Sequence, residues 1–274
     1  MLFFISLIIL GIGVGLLGAI LGMGGGIIMV PVLTFLFNLE IHNSIAISLV
    51  VITANSMANS SVYLKTGMAN MNLGIALSIV SVIGALIGSK LVVMLPSDTV
   101  MIIFGVIQFI MAYLTFLKTK RGTKTIETGE VVNKSFFYGE YFDAATNKVV
   151  KYNPIRVKWN FLFGAFSGIF SGLSGAGGGA LIVPGMNVIS NIPIKAATAT
   201  SSFIIGFTSA AGSLVFMQSG MVDVEVASLI ILGIVVGTII AMKFFSRITD
   251  KKVAYLLIAL FILVGLQMIV EGVR

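Results

Sequence analysis

Eight long apolar tracts divide this chain, and they limit its fold more strictly than any other feature. Each contains 16 to 23 residues. The tracts are Leu2–Leu21, Asn43–Leu64, Leu73–Leu95, Val100–Leu117, Trp159–Ser174, Ala196–Met217, Val226–Phe245 and Val253–Val270. A helix needs roughly 20 apolar residues to cross a lipid bilayer. The tracts therefore predict an all-α fold, a polytopic bundle of membrane helices, and the alternating pattern of a membrane β-barrel is absent.

The composition excludes the common soluble classes. Of the 274 residues, 58% are hydrophobic and only 10% are charged, which is too little polar surface for a soluble domain of this length. The chain has no cysteine and one histidine, so disulfides and thiol ligands are excluded and a transition-metal site is not expected. No basic residue precedes Leu2, and we interpret the first tract as a membrane helix rather than a signal peptide.

One glycine motif occurs twice in the chain. The stretch LGMGGGIIMVP fills Leu21–Pro31, and SGAGGGALIVP fills Ser174–Pro184, 153 residues later. The same shift aligns Gly11–Lys90 with Gly164–Lys243 without a gap. We therefore predict two homologous membrane repeats joined by a polar linker. The predicted domains are membrane repeat 1 (1–118), the linker (119–157) and membrane repeat 2 (158–274).

Loop charges predict the orientation in the membrane. The segment Lys118–Lys158 holds nine Lys and Arg residues against four acids, so the positive-inside rule places it in the cytoplasm. The other basic loops contain Lys65, Lys195 and Arg247–Lys252, and the acidic loops contain Glu40, Asp98, Asp223 and Glu225. Basic loops fall inside and acidic loops outside only if each repeat crosses an odd number of times.

The charges thus favour two inverted-topology repeats of about five helices each in the plasma membrane. Inverted repeats are typical of transporters, with the substrate site near the midplane where the repeats meet. Three crossings plus a re-entrant hairpin in each repeat satisfy the same charges.

The linker contains one segment with a folding signal. Phe136–Tyr152 has aromatic and β-branched runs on either side of Asp143–Asn147, which predicts a small β-hairpin. The alternative is a solvated loop with no role in transport.

Each glycine motif introduces a short apolar segment, which indicates a half-length helix. Only eleven apolar residues, Ile27–Phe37, follow the first motif, and the run after the second contains Pro184. Glycine permits unusual backbone angles, and irregular backbone within the membrane is tolerated only against protein or a water-filled cavity. Two helix N-termini facing such a cavity would bind an anion through free N–H groups. The predicted anion-binding glycines are Gly24, Gly25, Gly26, Gly177, Gly178 and Gly179.

Close helix packing is the alternative for these glycines and the preferred interpretation for the outer ones. Residues at a four-residue spacing form the small-residue seams of packed membrane helices. The seams are Gly11 with Gly15, Gly18 with Gly22, Gly84 with Gly88, and Gly164 with Gly168 and Gly172.

The duplicated Gly-x-Gly-Gly-Gly-x3-Val-Pro motif, opening each half of a helical protein of this size, resembles the sulfite exporter TauE/SafE family. The resemblance covers roughly Gly11–Phe116 and Asn160–Val270 and omits the linker. It implies export or permeation of sulfur-containing anions such as sulfite, sulfonates or thiosulfate.

The helix after each glycine motif is unusually polar for a membrane segment. Polar groups at this depth are costly unless paired, so they tend to face the bundle interior. Hydroxyl and amide donors suit an oxyanion that must be held weakly and released, and interhelical hydrogen bonding is the alternative. The predicted substrate-binding side chains are Asn55, Ser56 and Asn59 in the first repeat and Ser201, Thr208 and Ser209 in the second, with Ser48 a weaker candidate.

The acidic residues bear on the driving force. All ten lie in loops or near helix ends, so no buried carboxylate offers a proton relay. An anion leaving a cell that is negative inside gains about 2.3 kcal/mol per charge per 100 mV. We therefore expect export driven by the membrane potential and the substrate gradient. The alternatives are a passive anion channel, an importer of the same anions, or a membrane scaffold whose glycines only pack helices.

Catalytic motifs give only weak matches. Ser174 lies in GLSG, a pattern of intramembrane serine proteases, but the one histidine, His42, falls in a predicted outside loop. GVGLLG lies in an apolar helix with no preceding strand, which argues against a dinucleotide site. We therefore expect no enzymatic activity and no cofactor.

The expected partners are a small inorganic or organic sulfur anion and the lipid bilayer, without nucleic acid, and a homodimer is left open.

Overall fold

The computed structural model describes residues 2–21, 25–121, 135–143, 147–244 and 250–273. Within these ranges the chain forms ten α-helices and one two-stranded sheet. The first half contains α1 (Leu2–Leu21), α2 (Gly26–Leu36), α3 (Ile41–Lys65), α4 (Met71–Met94) and α5 (Ser97–Arg121). The second half contains α6 (Val157–Ser174), α7 (Gly179–Pro184), α8 (Ile194–Gln218), α9 (Val224–Phe244) and α10 (Asp250–Val273). A π-helical turn, Gly185–Ile189, continues α7.

Five of these described helices, namely α3, α4, α5, α8 and α9, are long and apolar enough to cross a membrane. Their side chains are only partly covered by the rest of the protein, and large apolar residues such as Ile79 and Leu232 stay exposed at 61% and 62%. An exposed apolar surface of this kind suits contact with lipid. The predicted all-α, polytopic membrane fold is confirmed.

The internal repeat extends to the bounds of the helices and to single backbone angles. Both α3 and α8 contain 25 residues, and their first residues, Ile41 and Ile194, are 153 positions apart. Left-handed backbone angles also recur at this spacing, since φ is positive at both members of each pair. The pairs are Gly25 with Gly178, Asn38 with Asn191, and Gly67 with Gly220. The two halves thus share local conformation as well as sequence.

The halves hold each other through helix pairs in which each half supplies one member. The most extensive pairs are α1 with α9, α4 with α6, α5 with α10 and α3 with α8. Glycines allow the backbones to approach closely: a Cβ at Gly11 would lie 2.2 Å from the carbonyl oxygen of Ile230, and one at Gly84 would lie 2.4 Å from that of Ala165. The predicted packing role of the outer glycines is therefore confirmed at these contacts.

Equivalent helices of the two halves run in opposite directions. Along the α3–α8 contact, Ser56 lies beside Gly206 and Leu49 lies beside Gly212, so the residue number rises on one helix as it falls on the other. The α5–α10 pair behaves in the same way. Its contacts place Gly105 beside Gly265 and Asp98 beside Gly272.

A β-hairpin from the segment between the halves is docked on the helices. Strands β1 (Gly139–Asp143) and β2 (Lys148–Tyr152) pair antiparallel, with Gly139 opposite Tyr152. Tyr141 and Tyr152 are only 6% and 5% exposed. They pack in a cluster with Leu73, Leu77, Ile182, Val183, Met186, Ile192, Ala196, Ala197 and Ile204. One face of the hairpin is therefore buried against α4, α7 and α8, so the segment is not a solvated loop.

Polar contacts attach the hairpin to both halves. The Asn70 side chain, at the start of α4, donates to the carbonyl of Phe137 at 2.7 Å. The Lys195 ammonium, at the start of α8, donates to an Asp143 carboxylate oxygen at 2.6 Å. Burial, reinforced by the Asp143 charge, raises the pKa of Tyr141 to about 12, so its phenol stays neutral at physiological pH.

Candidate functional site: two glycine turns between the halves

Both glycine motifs form the turn that starts a short helix. Gly25 precedes α2 with φ of 83°, and Gly178 precedes α7 with φ of 69°. These left-handed angles strain any residue with a Cβ, which is why the sequence has glycine at both positions. Gly26 and Gly179 then begin the two helices. Of the predicted site residues, Gly24 lies outside the described residues.

The two turns meet where α3 crosses α8. A Cβ at Gly26 would lie 2.2 Å from the carbonyl oxygen of Gly175 in the other half. The Ser48 hydroxyl of α3 donates to that same oxygen at 2.7 Å. A Cβ at Gly177 would lie 2.9 Å from the Ile205 side chain of α8 and 3.2 Å from the Ile52 side chain of α3. The structure therefore brings Gly26 of the first repeat and Gly177 of the second to the same part of α3, where both contact Ile52.

The first backbone donors of α2 and α7 have no acceptor among the described residues. In the first turn of α2, the carbonyl of Gly25 accepts from Ile28 and Met29. No described residue accepts a hydrogen bond from the N–H of Gly26, Ile27 or Gly179. These are among the first N–H groups of their helices, where the helix dipole concentrates partial positive charge. The two helix N-termini thus supply backbone donors without a charged side chain.

The turns are also tightly packed. A Cβ at Gly25 would lie 2.6 Å from the Val14 side chain. Gly178 lies against α6, where the Ser167 hydroxyl donates to the Gly178 carbonyl at 2.6 Å. Close packing is therefore found at these turns as well as at the outer glycines.

The predicted polar side chains of α3 form an interhelical network. The Asn55 side-chain oxygen accepts from the Asn59 amide at 3.3 Å and from the Thr238 hydroxyl of α9 at 2.9 Å. Ser56 is 2% exposed and lies beside Gly206 of α8. The predicted residues therefore do not share one neighbour, since Asn55 and Asn59 lie on the side of α9 whereas Ser56 faces α8.

Thr238 was missed by sequence reasoning. It follows Gly237 within an apolar run, and a lone hydroxyl in such a run was the available signal. Its partner lies 183 positions away, so the pairing itself leaves no local pattern.

The predicted side chains of α8 differ in their hydrogen bonds. Thr208 donates to the carbonyl of Ile204 at 2.7 Å, and Ser201 donates to that of Thr198 at 2.9 Å. These bonds stay within the helix and use up the hydroxyl proton. Ser209 is fully buried, and its hydroxyl bonds to none of the described residues.

Two other residues bear on the site. Ser48, ranked weakly from the sequence, contacts the other half directly through Gly175. Gln108 of α5 donates to the carbonyl of Ile27, in the first turn of α2, at 3.4 Å. The sequence signal for Gln108 was an amide in the middle of an apolar tract.

The serine and histidine of the weak protease pattern have separate partners. The Ser174 hydroxyl donates to the carbonyl of Phe170 at 2.7 Å. His42 Nε2 lies 3.1 and 3.0 Å from the carbonyls of Val92 and Leu95. Neither residue contacts the other in the part of the chain that the structure describes.

These features define an all-α polytopic membrane protein built from two related halves, with paired glycine turns between them. The model of the family described as sulfite exporter TauE/SafE matches residues 7–268. The chain belongs to this family, and it is a membrane transporter.

Curated relatives carry matching descriptions. The probable membrane transporter protein YunE of Bacillus subtilis (strain 168) is 29% identical over 278 residues, covering 98% of each chain. A probable membrane transporter protein of Methanocaldococcus jannaschii is 25% identical, over 96% of this chain and 94% of its own. One from Haemophilus influenzae is 31% identical, over 65% of this chain and 59% of its own. No solved structure matches the chain.

Proposed function

We propose that the chain exports small sulfur-containing anions of the sulfite, sulfonate or thiosulfate type across the plasma membrane. The observation that carries the proposal is the meeting of two glycine turns, one from each half, with Gly26 against the Gly175 carbonyl. Each turn presents the first N–H groups of a helix, at its positive end, and such groups bind anions. The family description supports sulfur oxyanions as the substrate class.

The proposed site uses the backbone first and polar side chains second. Neutral donors hold an oxyanion less tightly than Lys or Arg would, which lets the anion leave again. The proposed backbone groups belong to Gly24, Gly25, Gly26, Gly177, Gly178 and Gly179. The proposed side chains are those of Asn55, Ser56, Asn59, Ser201, Thr208 and Ser209. To donate to the anion, Ser201 and Thr208 must exchange their bonds to the carbonyls of Thr198 and Ile204 for bonds to the substrate.

The proposed topology is a pair of inverted membrane repeats, 1–118 and 158–274, with the linker 119–157 in the cytoplasm. The opposite directions of α3 and α8, and of α5 and α10, support it, because helices related by an axis in the membrane plane must run antiparallel. The site then lies near the midplane, where alternating access from either side is possible.

The proposed driving force is the membrane potential together with the substrate gradient. Proteoliposomes with the purified full-length protein test it directly. Sulfite or thiosulfate efflux should rise several-fold when an inside-negative voltage is imposed with potassium and valinomycin. An efflux rate that does not change with voltage but changes with an imposed pH gradient contradicts this mechanism. Flux that saturates marks a carrier, whereas flux proportional to concentration marks the alternative of a passive channel.

Substitution of the turn glycines separates a transporter from a scaffold. Gly25→Leu and Gly178→Leu place a bulky side chain at left-handed backbone positions beside the proposed site. Both should abolish anion flux in the fraction of the protein that stays monodisperse in detergent. Gly13→Leu is the matched control, since a Cβ at Gly13 meets no described atom within 4 Å. The scaffold alternative is supported if the wild type moves no anion and the two glycine variants fail to assemble.

A further inference from the structure

Four buried serines, one from each of four helices, surround the contact between the halves. They are Ser48 of α3, Ser89 of α4, Ser171 of α6 and Ser209 of α8, and each is 0% exposed. We call them the serine cluster. Ser209 is among the proposed midplane residues, whereas Ser89 and Ser171 belong to no site described above.

Contacts around a closed ring place these serines together. Ser48 donates to the Gly175 carbonyl, and the Gly175 N–H donates to the Ser171 carbonyl one turn earlier at 2.9 Å. The next residue, Gly172, faces α4, since its Cβ position lies 2.5 Å from the Ser89 nitrogen.

The ring closes through α8. The Ser89 hydroxyl lies 2.8 Å from the Cβ position of Gly212, and that position lies 3.1 Å from Leu49, the neighbour of Ser48. Ser209 precedes Gly212 by three residues and therefore shares its face of α8. The absence of a side chain at Gly212 leaves the Ser89 hydroxyl facing α8 unobstructed.

Three of the four hydroxyls hydrogen bond to none of the described residues, namely those of Ser89, Ser171 and Ser209. Some other buried helical hydroxyls donate to a carbonyl one turn earlier, as Ser78 does to Gly74 and Thr208 to Ile204, each at 2.7 Å, whereas Ser60 of α3 also lacks a described partner. A buried hydroxyl without a partner loses the free energy of its bonds to water. Three unused O–H donors at one place indicate a ligand that accepts hydrogen bonds.

We infer that the serine cluster is a second binding site for a small oxyanion, beside the glycine turns and at the same depth in the membrane. The inference rests on the proposed function. Ser48 donates to the Gly175 carbonyl, and Ser171 lies one turn before Gly175 on α6, so the cluster borders the turn of the second half directly. An anion at the turns can therefore exchange backbone donors for hydroxyl donors of the cluster.

The cluster has no full counterpart at the positions related by the repeat. The shift of 153 residues places Met242 at the position of Ser89 and Gly18 at that of Ser171, and neither residue carries a hydroxyl. The second site is thus not a consequence of the repeat.

The test uses the full-length purified protein, the variant Ser89→Ala/Ser171→Ala and the control Ser78→Ala on the same helix as Ser89. Binding of sulfite, thiosulfate, sulfate and chloride is measured by titration, and unfolding by a thermal ramp without anion. We expect oxyanion affinity to fall about tenfold or more in the double variant, because two hydrogen bonds to a charged ligand are lost. Its melting temperature without anion should stay level or rise, since two unpaired buried hydroxyls are removed.

The control should keep wild-type affinity, and chloride binding should change little in any variant. Unchanged oxyanion affinity in Ser89→Ala/Ser171→Ala overturns the inference, as does a lower melting temperature at unchanged affinity, which indicates hydroxyls that hold only structural water. If the wild type binds and moves oxyanions in these cases, only the second site fails. If the wild type binds none, the proposed function fails with it.

Discussion

At the scale of the residue, the site depends on where a carbonyl of one half meets a glycine of the other. A Cβ at Gly26 would lie 2.2 Å from the Gly175 oxygen and also 2.2 Å from the end of the Ile52 side chain. Ile52 can turn to another rotamer, but the Gly175 carbonyl is held by its bond from Ser48. The smallest possible addition at this point therefore forces the backbones apart.

Gly26→Ala should consequently destabilise the protein by about 3 kcal/mol or more, as overpacking against backbone does. The measurement is the melting temperature in detergent, read together with the monodisperse fraction. Gly13→Ala is the matched control, with no described atom within 4 Å of its Cβ, and it should be neutral or slightly stabilising because alanine favours a helix over glycine. Equal melting temperatures for the two variants would show that the halves are not in contact at Gly26.

At the scale of the element, the hairpin shows what local sequence can and cannot predict. Its strands and turn follow from short-range signals, and Gly139–Asp143 and Lys148–Tyr152 lie within the predicted segment. Its docking does not follow from them, because the burial of Tyr141 is created by residues such as Leu73 and Met186, which are distant in sequence.

The same limit applies to the helices. The lengths of the apolar tracts predicted the approximate bounds of the helices. The internal repeat predicted which helix of the first half is equivalent to which helix of the second. The Ser48–Gly175 bond spans 127 positions, so its importance could not be ranked from the residue alone. The predicted polar face of α3 contacts two different helices, α8 and α9. The hydrogen bond from Thr238 of α9 to Asn55 joins residues that are distant in sequence, so it could not be predicted either.

Alternation along β1 provides a test of docking. Tyr141 is 6% exposed on the helix side, whereas the next residue, Phe142, is 52% exposed on the other side. Tyr141→Ala should release the hairpin, because burial of an aromatic side chain contributes about 2–3 kcal/mol. Trypsin cleavage at Lys148 and Lys151 should then accelerate at least tenfold.

Phe142→Ala serves as the control and should leave the cleavage rate within about twofold of the wild type, since an exposed side chain contributes little to packing. Rapid cleavage of the wild type at the same sites would contradict a docked hairpin.

At the scale of the whole molecule, the question is how the two halves lie relative to the bilayer. The equivalent helices α3 and α8 run antiparallel, as do α5 and α10, and the repeat supplies equivalent positions at which to measure this. Thr66 and Ser219 directly follow α3 and α8, stand 153 residues apart and are both exposed. Because the chain contains no cysteine, a single introduced thiol reports its own position without background.

We expect a membrane-impermeant maleimide to label Ser219→Cys on intact cells and to leave Thr66→Cys unlabelled. Inverted topology places the first thiol outside and the second in the cytoplasm. Permeabilised cells should label both thiols, which controls for reactivity. Labelling of both variants on intact cells, or of neither, would place the two positions on the same side and rule out inverted repeats.

The contact between Gly26 and Gly175 also has a consequence for descent. Because the backbone carbonyl of residue 175 occupies the space that a methyl group would need at position 26, any residue other than glycine at 26 clashes with the other copy, whatever side chain residue 175 carries. Duplication therefore restricts position 26 through a contact that an isolated half would not have.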